Sequence, residues 1–180
     1  MKLFKLLLSL FVCLFFLCPT GFAQKKPITK IHRQKASTKD ASGWYYAKST
    51  EGHFSVLLPM SFADYSVIAW DTLGKEIKTF AVGCKSDDNF EFGVMEIPRN
   101  KNKVDLKSMI KSFKPTAIKE EHTAAYSSIF GKVEGGGRYG YIKYVVTPKS
   151  LIMMSAECLT PTKSDLDRIY LTFFNSLKLL

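Results

Sequence analysis

Apolar and polar positions alternate with period two through most of this chain and change to a helical period in two places. After Glu51-Gly52, a turn signal, Phe54, Val56 and Leu58 fall on one side of a strand that Pro59 ends. The aromatic stretch 44–48 predicts a partner strand across that turn. Three further strands, 65–71, 77–84 and 90–97, read as an antiparallel meander. Their joints are Leu73-Gly74-Lys75 and Ser86-Asp87-Asp88-Asn89, which carry turn chemistry. At Leu106, Met109, Ile110 and Phe113 the spacing becomes i, i+3, i+4, i+7, a helical stripe with Asp105 as N-cap and Pro115 as its stop. Strands return over 126–134, 138–147 and 151–158, the first two joined at Gly135-Gly136-Gly137. Leu166, Ile169, Tyr170, Phe173, Phe174 and Leu177 then make the core stripe of a closing helix, with Ser164 as its expected cap.

This order predicts one α+β domain over 44–180, an antiparallel β-sheet packed between helices. Residues 1–23 have the form of a signal peptide: Lys2 and Lys5, an apolar run from Leu6 to Leu17, and small residues around Ala23. The expected mature protein is exported, periplasmic or extracellular, with no transmembrane span after cleavage. Removing Lys2 and Lys5 lowers the formal net charge from +10 to +8. Much of the remainder lies in 24–43, where Lys25, Lys26, Lys30, Arg33, Lys35 and Lys39 face only Asp40. That segment, rich in Ser, Thr and Lys, is expected to be a flexible basic lead-in. Its cations are candidate contacts for an anionic lipid surface or polyanion, against the simpler reading of a solvated tether.

Export makes the two mature cysteines, Cys84 and Cys158, an even pair in an oxidising compartment. Two buried thiols or one disulfide both fit. Strand order decides, because the Cα atoms of a disulfide must approach within about 7 Å.

Three stretches resemble the PsbP-like fold, named for an extrinsic photosystem II subunit and similar to many exported bacterial proteins. They are Glu51-Gly52-His53-Phe54-Ser55-Val56 followed by Pro59, the strand ending at Ile97-Pro98 ahead of a helix, and the close Phe173-Phe174-Asn175-Ser176-Leu177-Lys178-Leu179. Together they frame nearly all of 44–180. The resemblance implies an antiparallel sheet between helices and a tendency toward binding or assembly roles. It implies no catalytic residues, and nothing in the chain points to photosynthesis.

The chemistry-bearing residues are sparse. His32, His53 and His122 have no metal-ligand spacing, and there is no His-Glu-x-x-His, Gly-x-Ser-x-Gly or Ser-x-x-Lys. Gly135-Gly136-Gly137 leads into a strand rather than a helix N-terminus, so it reads as a hairpin tip and not a phosphate loop. No metal or cofactor is expected. Arg138, Tyr139, Tyr141 and Lys143, on one strand, are a candidate stacking platform for a ligand, against the alternative that the aromatics fill a sheet face. Nucleic acid is not an expected partner of an exported chain. The leading expectation is therefore a non-catalytic binding or assembly module for an unknown protein or envelope component. An envelope-surface factor docking through 24–43 is the first alternative. A hydrolase with carboxylates assembled only in space is the second, and a concave pocket holding carboxylates of raised pKa would favour it.

Overall fold

The computed structural model describes residues 26–33, 39–71, 73–86, 90–99 and 104–180. Within these the chain forms β1 (Ile28–Arg33), β2 (Tyr45–Lys48), β3 (Phe54–Leu58), β4 (Ala63–Trp70), β5 (Glu76–Lys85) and β6 (Glu91–Pro98). Helix α1 (Leu106–Lys111) follows, then β7 (Ala117–His122), β8 (Ser127–Gly135), β9 (Arg138–Val146) and β10 (Ser150–Leu159). A 3-10 turn at Thr160–Thr162 leads into α2 (Lys163–Asn175) and the short β11 (Lys178–Leu179). The large sheet has the antiparallel order β1-β4-β5-β6-β10-β9-β8-β7, and a small sheet has the order β11-β3-β2.

The predicted α+β class is corrected to a β-rich fold. Strands take 55% of the described residues and helix only 16%, so no layer of helices sandwiches the sheet. Helix α1 has six residues and covers one part of one face, where Ile110 presses on Gly131: a Cβ there would lie 2.7 Å from Ile110 Cδ1. Asp105 caps this helix as expected, accepting from the backbone of Lys107 and Ser108. The other face is closed by α2 together with the small sheet. There Phe54, Val56 and Leu58 meet Phe92, Phe173 and Phe174 in one buried cluster. Phe92 and Phe173 pack edge to face at 5.3 Å. Helix α2 begins at Lys163, with Thr162 in the cap position and no side-chain cap bond, in place of the expected Ser164.

Two edge strands of the large sheet were not expected, nor was β11 at the edge of the small one. The segment 24–43, read as a flexible lead-in, contains β1, paired to β4 from Ile28↔Ile68 through Ile31↔Tyr65. All six residues of β7 are exposed, so it lacks the alternation that signals a strand, yet the open edge of β8 pairs with it throughout. The meander β4-β5-β6 and the hairpin of β2 with β3 match expectation. So does the hairpin of β8 with β9, whose tip glycines Gly136 and Gly137 take φ of 58° and 76°.

The opening stretch Glu51-Gly52-His53 bolts the small sheet to the large one. Asp64 of β4, 1% exposed, accepts from the Thr50 backbone N–H at 2.8 Å. Glu96 of β6, 3% exposed, accepts from the His53 N–H at 2.6 Å. Glu51 meets Lys78 at 3.1 Å and His32 at 3.2 Å. The Lys78 contact, with further help from Ser66 and His32, holds the Glu51 carboxyl below its ordinary pKa against the opposing effect of desolvation. At the other end, Ser176 Oγ accepts from Leu57 N–H at 2.8 Å and donates to the Phe173 carbonyl at 2.7 Å.

Candidate functional site

The face of the large sheet opposite α2 carries three parallel rows of side chains that run across the strands. The middle row is small: Ala63↔Gly83, Gly83↔Gly93 and Gly93↔Ser155 are direct partners on β4, β5, β6 and β10. Ser155 in turn faces Ile142 of β9. One step along the strands lies a charged row, Lys85↔Glu91↔Glu157, which meets Gly140 on β9. One step the other way lies a row of larger, mostly apolar residues, Tyr65↔Ala81↔Met95↔Met153↔Tyr144. A row of glycine and serine between taller neighbours makes a trough. Four strands at the usual sheet spacing give it a length of about 14 Å between β5 and β9.

Where the small row meets β9, at Ser155, lies a cavity of about 400 Å³, lined by Glu91, Arg138, Gly140, Ile142, Ser155 and Glu157 together with Phe113, Lys114 and Val133. Its volume falls within the range of small-molecule sites. A separate, much smaller pit of about 10 Å³ lies nearer β4, between Tyr65, Ala81, Gly93, Met95 and Met153. A Cβ on Gly140 would lie 2.6 Å from the Ala156 carbonyl oxygen and 2.9 Å from Glu157 Cβ. Lys114, at φ 50°, swings the chain over the cavity margin ahead of Pro115, which bars the preceding residue from continuing the helix.

The charged row is tightly organised. Arg138 holds Glu157 through two contacts, Nε to Oε2 at 3.1 Å and Nη2 to Oε1 at 2.8 Å. Glu91, 6% exposed, lies 3.4 Å from Lys85 Nζ and 4.0 Å from Arg138 Nη2. Burial pushes the Glu91 carboxyl above its ordinary pKa and neighbouring Glu157 adds to the rise; Lys85 and Arg138 oppose it without cancelling it. Burial, with a contribution from Glu91, also raises Tyr65 to about 12.

The expected platform is divided between the two faces. Tyr139 and Tyr141, 1% and 8% exposed, point under α2. Tyr141 stacks on Tyr170 at 3.8 Å, and the Tyr139 and Tyr141 hydroxyls both donate to Asp167 Oδ1 at 2.6 Å. Burial and the Asp167 carboxylate raise Tyr141 strongly. Burial pushes Asp167 upward, but the two hydroxyls together with Lys132 and Lys163 outweigh it and leave the carboxyl below its usual value. These tyrosines therefore fix the helix to the sheet and present no stacking surface. Lys143 lies half-buried on their face, whereas Arg138 belongs to the trough. Sequence reasoning missed Glu91, Glu157, Ser155 and the glycine row. The available signals were glycines inside strand patterns at 83, 93 and 140, and an acid within the run Phe90-Glu91-Phe92-Gly93.

Cys84 and Cys158 are free and buried, so the disulfide reading is corrected. Both face the α2 side, but β6 separates β5 from β10. Two strand spacings amount to about 10 Å, beyond disulfide reach. Burial raises Cys84 to about 12 and moves Cys158 upward as well. Of the basic segment, Lys25 and Lys35 lie outside the described residues. Lys26 and Lys30 are exposed, Lys30 standing 3.8 Å from Glu51. Arg33 ends β1 opposite Asp64. Lys39 stands 5.7 Å from the Tyr45 ring, beside an isolated bridge between the two residues. The described cations thus divide between β1 with the residues just before it and the approach to β2.

Among the described residues no three His, Cys, Asp or Glu side chains group as metal ligands, and no helix is long and apolar enough to cross a membrane. Fold and site together define a two-sheet, β-rich protein with a transverse groove bordered by charges on one side and apolar groups on the other. No protein-family model matches the chain, and no curated protein matches it.

Proposed function

We propose that this is an exported, non-catalytic binding module, related to PsbP-like proteins, that takes its ligand in the trough of the large sheet. The observation that carries this reading is the in-register row Gly83-Gly93-Ser155 between a charged and an apolar wall. Sheets fill their covered faces with large side chains. A small row beside an open cavity of about 400 Å³ leaves room for a guest. Mapping amide shifts by NMR on titration with candidate ligands tests it: perturbations centred on 83, 93, 140 and 155 support the trough, and perturbations confined elsewhere reject it.

A hydrolytic reading is favoured by one observation, Glu91 and Glu157 facing each other at the cavity with Glu91 raised. Two facing carboxyls in unlike surroundings are the elements of an acid–base pair. Against it, each carboxylate is already engaged by Lys85 or Arg138, which spends the oxygens a substrate would need. Turnover abolished by Glu91→Gln, with the fold intact, would reverse the preference. Docking on anionic envelope surfaces draws on exposed Lys26, just before β1, and Lys30 within it. Retention on anionic vesicles that survives Lys26→Gln with Lys30→Gln removes that reading.

A further inference from the structure

We propose that the cavity beside Ser155 takes a compact, uncharged and mainly apolar ligand carrying one hydrogen-bonding group. Its apolar body lies against Phe113, Val133 and Ile142, and its polar group meets the Ser155 hydroxyl. This deepens, and rests on, the reading of the trough as the ligand site.

The walls argue for an apolar body. Phe113 comes from the chain after α1, Val133 from β8 and Ile142 from β9, and all three border the cavity of about 400 Å³. That volume lies toward the small end of the range for ligand sites, which favours a compact guest. The floor is the sheet itself. Gly140 and Ser155 sit on β9 and β10, strands paired on both sides, so their backbone groups are engaged in the ladder. A sugar or peptide lying there would surrender hydrogen bonds to water and find few in return, which is costly.

The ions argue against a charged guest. Arg138 is held by Glu157 at 2.8 and 3.1 Å, and Glu91 by Lys85 at 3.4 Å. At the rim, Lys114 and Glu134 are exposed and bring one charge of each sign. A charged ligand would have to break an existing pair to gain a buried counter-ion, and the partner left behind would then be buried alone. An uncharged ligand leaves every pair intact.

Ser155 supplies the polar contact. It is half-buried at the cavity, and its hydroxyl has no hydrogen bond to another described residue. A hydroxyl can both donate and accept, so it pairs with an alcohol or a carbonyl on the guest.

The test uses naphthylmethanol, naphthoate and naphthylmethylammonium, which share one ring system and differ in charge, and methylnaphthalene, which lacks the hydrogen-bonding group. Binding is followed near neutral pH by fluorescence titration and amide-shift mapping on the protein. The expected result is saturable one-to-one binding of naphthylmethanol, at least about tenfold tighter than either charged probe, with shifts at 133, 140, 142 and 155. Ser155→Ala, checked for an unchanged thermal transition, weakens naphthylmethanol about three- to tenfold and leaves methylnaphthalene unaltered. A merely structural role for Ser155 would move both neutral probes alike. A charged probe that binds as tightly as naphthylmethanol overturns the proposal. So does a Ser155→Ala variant that weakens both neutral probes equally, or neither. If the naphthyl probes leave these amides unmoved while maltohexaose or trialanine shifts them, the ligand class falls and the site stands. If none of these shifts them, both fall.

Discussion

Glu91 and Glu157 are direct cross-strand partners on β6 and β10, two carboxylates face to face with Arg138 bound to one and within 4.0 Å of the other. Like charges opposite each other destabilise a sheet. The pair is held because Lys85 and Arg138 bring equal opposite charge to the same row.

The raised Glu91 carboxyl sets a pH dependence. Ionising it is harder in the folded chain than in the unfolded one, so the unfolded state gives up its proton first. The stability linked to Glu91 is therefore greatest below the ordinary value of 4.5 and declines as pH rises through the raised folded value. Denaturant titrations across the mildly acidic range should show this decline, and Glu91→Gln should remove it. An identical pH profile in the variant rules the assignment out.

Gly52 has no room for a side chain. A Cβ would lie 2.9 Å from Phe80 Cβ, Glu96 Oε2 and Ser49 Oγ alike. Gly52→Ala should cost about 1–3 kcal/mol by overpacking. Gly135→Ala, with nothing within 4 Å, should change stability by less than about 0.5 kcal/mol. Equal effects in the two variants contradict the clasp described for the opening turn.

Phe54 and Phe173, both fully buried, join the small sheet and α2 to the large sheet. Truncation of either to alanine should lower stability by about 3–5 kcal/mol. Chemical denaturation measures it; a loss below about 1 kcal/mol would mean the cluster is not the principal core.

The two thiols should be inert. Cys84 and Cys158 are buried with raised pKa values, so little reactive thiolate forms near neutrality. In a chain without residues 1–23, which carry Cys13 and Cys18, an aromatic disulfide reagent should count two thiols only after denaturation, and the thermal midpoint should not move with reductant. A reductant-sensitive midpoint would reveal a bond that the strand order forbids.

Local pattern alone located most of the interior strands, both helices, the Asp105 cap, the glycine hairpin tip and the burial of Phe54 and Phe173, because each depends on residues a few positions apart. Edge strands escaped it: β1 and β7 owe their form to an open neighbour and carry no strong alternation of their own. The preponderance of strand over helix, the separation of Cys84 from Cys158 and the turning of Tyr139 and Tyr141 beneath α2 were decided by strand order and by which face the helix took. The trough belongs wholly to tertiary structure. Gly83, Gly93 and Ser155 become neighbours only through register across β5, β6 and β10, and register is a property of paired strands that no single stretch of chain contains.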